Sequence, residues 1–240
     1  MANTSFYSKC KNANLIGILK EKGYAVFENG IYDLNIIGIR SDQANQVTNL
    51  FDDYLVVLYK ATDTGDKNKD WTKKIYRITT EPGLYYMTKG MMNSKGTAIL
   101  APGQYRGCWE IGLHRNKYSA LVQKDKVFVY RDDNKDKTYD LVPQKLDAGI
   151  FGINIHRANK DKVQLYVNDY SAGCQVFADP DEFRSFMRLC GLQTKNGKPN
   201  SFTYTLLNES DLIYSLTDKN TKRTLSKKSI KKPVKAKKKK

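Results

Sequence analysis

Short apolar runs separated by polar turns dominate the chain. Residues 54–59 (YLVVLY), 74–79 (KIYRIT), 97–100 (TAIL), 109–114 (WEIGLH) and 202–207 (FTYTLL) have the length and the β-branched and aromatic content of strands. Residues 31–39 (IYDLNIIGI), 24–27 (YAVF) and the alternating 163–167 read the same way. Residues 120–123 and 126–131 predict a hairpin across Lys124-Asp125, and 151–156 (FGINIH) an apolar strand that ends in a histidine. Helical spacing is confined to two places. Leu15, Ile16 and Leu19 share one side of 12–22, ahead of Gly23. Asp179-Pro180-Asp181-Glu182 then sets a cap, a proline and two acids at a helix start. Phe183, Phe186, Met187 and Cys190 follow at helical spacing, and Gly191 is the expected stop. Residues 41–51 read as a loop or short helix and 62–69 as a loop; 81–96 has no clear pattern. The fold class expected is mainly β with a few helices, a β-rich α+β protein.

Composition supports a folded body. The 240 residues are 40% hydrophobic, with 16 Tyr and 9 Phe, which excludes disorder for the bulk of the chain. No apolar run approaches the length of a membrane span, so none is expected. The N-terminus has no charged-then-apolar signal pattern, and synthesis in a cytoplasm without a signal peptide is expected. The net charge of +16 is uneven: residues 219–240 hold twelve Lys or Arg and no acid, which leaves 16 − 12 = +4 for 1–218. Three parts are therefore expected. Residues 1–50 supply an N-terminal helix and strands packed on the core, 51–218 the chemistry-bearing domain, and 219–240 a disordered lysine-rich tail. The tail suits a non-specific polyanion, whether nucleic acid, an anionic wall polymer or a membrane surface. It has no aromatic residue for base stacking.

Cofactor and metal chemistry is not expected. The four cysteines (10, 108, 174, 190) form no CxxC pair, and they and the two histidines are scattered. Reduced thiols are expected, with Cys108 and Cys190 in the core. Asp132, Asn134, Asp136 and Asp140 begin like a calcium loop, but Lys137 stands where glycine is needed and Pro143 where glutamate is needed, so a solvated turn is the better reading.

One stretch carries chemistry. Residues 152–177 read GINIHRANKDKVQLYVNDYSAGCQVF. His156 ends an apolar strand and Cys174 follows a Ser171-Ala172-Gly173 turn. A histidine able to accept the thiol proton makes such a cysteine a nucleophile. The amides around Gly173 and Cys174 can face an oxyanion, and Arg157 can hold a carboxylate or favour the thiolate. Ser171 either orients His156 or substrate, or stabilises the turn. His114-Arg115 echoes His156-Arg157, so His114 either lines the same cleft or sits at a strand end on the surface.

The order His156, then Ser171-Ala172-Gly173-Cys174, then an apolar residue and a helix resembles the L,D-transpeptidase catalytic domain (YkuD-like). That family has a strand ending in a His-Gly-Thr-like segment, a loop, then Ser-x-Gly-Cys-x-Arg. Residues 97–106 (TAILAPGQYR) are similar to its upstream entry, and the likeness covers roughly 53–192. It implies a β-rich sandwich or barrel core and a cysteine peptidase or acyl transferase. The substrate implied is a peptidoglycan peptide stem, with Cys174 as nucleophile, His156 as base, and Gly173, Ser171, Arg157 and His114 around substrate and oxyanion. The chain departs from the pattern at Arg157-Ala158, at Ala172, and at Val176, where the family has its substrate-binding arginine. Arg157 or Arg106 would have to replace that arginine. With no signal pattern, the chain suggests a phage or large-virus member, virion-associated or acting at the cell wall after lysis. The competing expectation is a non-catalytic virion structural protein whose lysine tail contacts packaged nucleic acid.

Overall fold

Strand-length runs of β-branched and aromatic residues bury their ladder groups by closing on themselves. In a computed structural model, residues 4–66, 70–90 and 92–212 are described. The expected disordered tail, 219–240, lies outside them. The strands are β1 (Asn35–Arg40), β2 (Asp53–Lys60), β3 (Trp71–Thr79), β4 (Thr97–Leu100), β5 (Gly103–His114), β6 (Tyr118–Gln123), β7 (Val127–Asp132), β8 (Asp147–Gly149), β9 (Ile155–Arg157), β10 (Gln175–Phe177) and β11 (Phe202–Asn208). The helices are α1 (Thr4–Asn12), α2 (Leu15–Glu21), α3 (Leu84–Thr88) and α4 (Pro180–Lys195). Eight strands form a closed barrel in the order β1-β11-β5-β6-β9-β10-β3-β2, and β4-β7-β8 form a separate sheet. Closure removes the unpaired edges that an open sheet would expose. The protein is thus mainly β with short helices.

β1 and β2 are apolar without alternation because both of their faces are covered. Ile36, Leu55 and Val57 face the interior with Trp109, Phe177 and Tyr204. Ile37, Ile39, Val56 and Leu58 face outward against Phe6 of α1 and Leu15, Ile18 and Leu19 of α2. α4 begins with Asp179 accepting from the Asp181 N–H, and sends Phe183, Phe186 and Cys190 into the interior core.

A buried ionic knot ties the small sheet to the barrel. Arg40, at the end of β1, pairs through Nε with Glu81 at 3.0 Å and donates through Nη2 to the carbonyls of Thr80 and Leu100, the latter at the end of β4. Asp53 accepts from the Ser41 and Thr80 amides and from Thr80 Oγ1. The knot fixes where β4 lies, and β4 forms one wall of the site.

Several local expectations fail for identifiable reasons. The 120–123/126–131 hairpin does not form. β6 pairs with β5 and β9, while β7 pairs with β4 and β8 in the other sheet. Residues 24–27 join no strand, because their backbone is held by side-chain amides: Gln104 brackets Ala25 and Asn35 brackets Phe27. Residues 163–167 make only isolated pairings, Gln164 to Ala178 and Val167 to Asn49. α4 runs through Gly191, since Gln193 is still needed to accept the Leu34 N–H.

Candidate active site

The parallel pair β9–β10 brings the two motif residues to one face. Gln175 lies beside Ile155 and Val176 beside His156. Side chains alternate along a strand. Ile155 packs into the barrel interior, and Gln175 there accepts from the Tyr204 hydroxyl at 2.7 Å. His156, Val176 and, continuing the alternation, Asn154 and Cys174 share the outer face. The Gln175 N–H donates to the Asn154 carbonyl, so the pairing extends to the cysteine.

The turn before Cys174 is held by Ser171, which is fully buried. Its hydroxyl donates to the Cys174 carbonyl at 2.8 Å and accepts from the Gly173 N–H at 3.2 Å. Gly173 has φ +122°, and a Cβ there would overlap the Ala98 carbonyl oxygen of β4. Both Ser171 hydrogen bonds thus stay inside the turn and reach neither His156 nor the cleft.

β5 delivers the second histidine. His114, its last residue, stacks on His156 with centroids 4.0 Å apart and planes 22° apart. His114, His156, Asn154 and Cys174 line a cleft of about 440 Å³. Thr97, Ala98 and Arg131 of the small sheet, residues 150–153, Tyr86, Tyr170 and Arg115 are also among its lining residues. No carboxylate lines it among the described residues.

The resting electrostatics are neutral. His156 Nδ1 lies 2.9 Å from the Arg157 carbonyl oxygen. A carbonyl only accepts, and the Tyr118 hydroxyl 3.3 Å from the same nitrogen donates to that carbonyl, so Nδ1 carries the hydrogen and Nε2 keeps its lone pair. Burial, and next to it the neighbouring His114, push the His156 pKa down to about 3, with Arg115 and Arg157 adding to the effect. Burial and then Arg115 push His114 down to about 4. Burial raises the Cys174 thiol, against the Asn154 N–H and Arg115. The thiol donates to the Gly152 carbonyl at 3.5 Å and accepts from the Asn154 N–H at 3.4 Å. Its hydrogen bonds among the described residues are thus to backbone and not to an imidazole.

The other expected residues divide. His114 is in the cleft. Arg157 is not among its lining residues: its guanidinium lies 3.9 Å over the Tyr118 ring, and Arg106 lines a different groove beside Asp33 and Gln193. The arginines that line the cleft are Arg115 and Arg131, and Arg115 is the one that follows a histidine of the site. Its only sequence signal was the repeated His-Arg pair, and the pair's meaning was carried by its first copy. Of the two amides expected to face an oxyanion, the Gly173 N–H is committed to Ser171, whereas the Cys174 N–H donates in none of the hydrogen bonds found among the described residues; the Gln175 N–H beyond it goes to Asn154. Asn154 carried no signal beyond its nearness to His156. The acidic segment 132–140 is a hydrogen-bonded turn in which Asn134 accepts from the Asp136 N–H and donates to Asp140. Comparison with family models, curated proteins and solved structures found no match.

Proposed function

We propose that the protein is a cysteine-nucleophile acyl transferase or peptidase acting on a peptide stem of the peptidoglycan type, with Cys174 as nucleophile and His156 as base. One observation carries this reading: a cysteine on a glycine-constrained turn and a histidine with an unprotonated Nε2 share one face and one cleft. With a substrate carbonyl in the cleft, the thiol leaves the Gly152 carbonyl and its proton passes to His156 Nε2. Sulfur bonds to the carbonyl carbon and the C=O π pair moves to oxygen. Collapse restores the C=O, breaks the C–N bond, and the leaving amine takes the proton from His156. Water, giving hydrolysis, or an amine, giving transfer, then attacks the thioester carbon and passes a proton to His156; collapse breaks the C–S bond, its electron pair stays on sulfur, and sulfur takes the proton back from His156. The lysine-rich residues 219–240 would hold the enzyme near a polyanion.

A non-catalytic scaffold is the second reading, favoured by the neutral resting pair and by a thiol tied to backbone groups. Intact-protein mass spectrometry after incubation with muropeptides separates the two. The acyl-transfer reading expects a thioester adduct on the wild type and none on a folded Cys174→Ala variant. The scaffold reading expects no adduct on either.

A further inference from the structure

We propose that His114 is a second catalytic group, a neutral hydrogen-bond donor to the carbonyl under attack, and that Asn154 is the positioning residue that sets its tautomer. The proposal rests on reading Cys174 as an acyl-transfer nucleophile. The Asn154 amide is oriented without ambiguity, because its Oδ1 accepts the Gln123 backbone N–H at 2.9 Å. Its Nδ2 is therefore the end that meets His114 Nδ1 at 3.0 Å. An amide nitrogen only donates, so His114 Nδ1 is the acceptor and the ring hydrogen sits on Nε2. His156 has the opposite tautomer, set by the Arg157 carbonyl. Two stacked imidazoles thus carry complementary equipment, one a lone pair at Nε2 and the other an N–H.

A separate donor has work to do here. The amides on either side of Cys174, those of Gly173 and Gln175, are already engaged, which leaves the Cys174 N–H as the one backbone donor of the turn and room for a second donor beside it. Oxyanion stabilisation needs preorganised donors, and a neutral imidazole N–H serves as an electrophile when its environment disfavours the cation. The setting meets that condition: His114 is buried against a second imidazole, Arg115 is its sequence neighbour, and no carboxylate lines the cleft among the described residues. During attack, His156 gains a proton while His114 donates a hydrogen bond and keeps its own, so no charge is placed on both rings at once.

The test has a spectroscopic arm and a kinetic arm. In histidine-¹⁵N-labelled protein at neutral pH, His156 should be protonated at Nδ1 and His114 at Nε2. Asn154→Asp, whose carboxylate accepts, should move the His114 proton to Nδ1. His114→Phe should slow Cys174 acylation about 10²-fold through its rate constant and not through substrate half-saturation; His114→Gln, which retains an N–H donor, should lose less. A wild-type His114 protonated at Nδ1, or His114→Phe acylating at the wild-type rate, overturns the proposal while leaving Cys174 as nucleophile. Absence of any wild-type acylation, with the tautomers as expected, removes the acyl-transfer reading and the catalytic role of His114 with it.

Discussion

Gly173 sets where the nucleophile stands. Its φ of +122° is open to glycine, and the missing Cβ is what lets the Ala98 carbonyl approach. Gly173→Ala should therefore destabilise the protein by about 1–3 kcal/mol from backbone strain, with more from the displaced β4. Thermal unfolding reads this directly, and an unchanged midpoint would mean that the turn relaxes freely. The cost should fall on Cys174 as well, because Ser171 clamps the same turn through the Cys174 carbonyl. The requirement for glycine before the cysteine is legible in the sequence; its partner Ala98, some 75 positions earlier in the chain, is not. The arginines teach the same lesson. Arg157 adjoins the catalytic histidine in sequence, but its guanidinium gains more by covering the Tyr118 ring. Arg115, with φ +50° just past the end of β5, is the one of the two His-Arg arginines that lines the cleft.

Gln123 does at the level of elements what Gly173 does for one residue. Its side chain donates to the Asp125 and Gly149 carbonyls and accepts from the Phe151 and Ile153 amides. Three of those bonds fasten residues 149–153, part of which lines the cleft, to the end of β6. They also explain why 151–156 reads as a strand but forms one only from Ile155, with Gly152 at φ +72° breaking the extended run. The Phe151 and Ile153 amides are satisfied by one side chain in place of a neighbouring ladder, and β9 starts at Ile155. Gln123→Leu should cost about 2–4 kcal/mol, since several buried groups lose partners together. Hydrogen exchange at Phe151 and Ile153 should accelerate relative to β5 and β6. Gln123→Glu keeps the acceptor and loses the donors, and should fall between; equal protection in all three proteins would assign that segment to other contacts. Strand identity was readable in the longer buried runs, as in β2, but not in the three residues of β10, buried though they are. Partnership was not. A two-residue link between 120–123 and 126–131 predicts a hairpin on local grounds, but β6 already has β5 and β9 as neighbours. Which pairing wins is decided by closing the barrel, a long-range condition that no local pattern contains.

Across the whole molecule, two groups of buried titratable residues sit on opposite sides of the acid–base ledger. In the cleft, the folded state holds His114 and His156 neutral down to about 4 and about 3. An unfolded histidine takes a proton near pH 6.5. The unfolded chain thus binds more protons between those values, and this part of the stability is lost as pH falls from 6.5 towards 4. At the barrel end, burial and the adjacent Asp53 raise Asp52 to about 7. Here the folded state binds the extra proton, and its contribution declines as pH rises from about 4 to about 7. The two slopes oppose each other, so the wild-type profile alone would conceal both. Difference measurements separate them. Relative to a His114→Gln/His156→Gln double variant, the wild type should lose up to about 1.4 kcal/mol per pH unit for each histidine as pH drops through that window. Relative to Asp52→Asn, its stability should move in the other sense, falling as pH rises. Denaturant titrations at pH 4.5, 5.5 and 6.5, each about one unit apart to span the window, test both. A flat difference for the double histidine variant would mean that solvent reaches the stacked rings, and the neutral tautomer pair on which base and donor roles both depend would not persist. The sloped result ties stability to chemistry, because the same desolvation that keeps both rings neutral leaves a lone pair on one and an N–H on the other of two stacked rings that line one cleft.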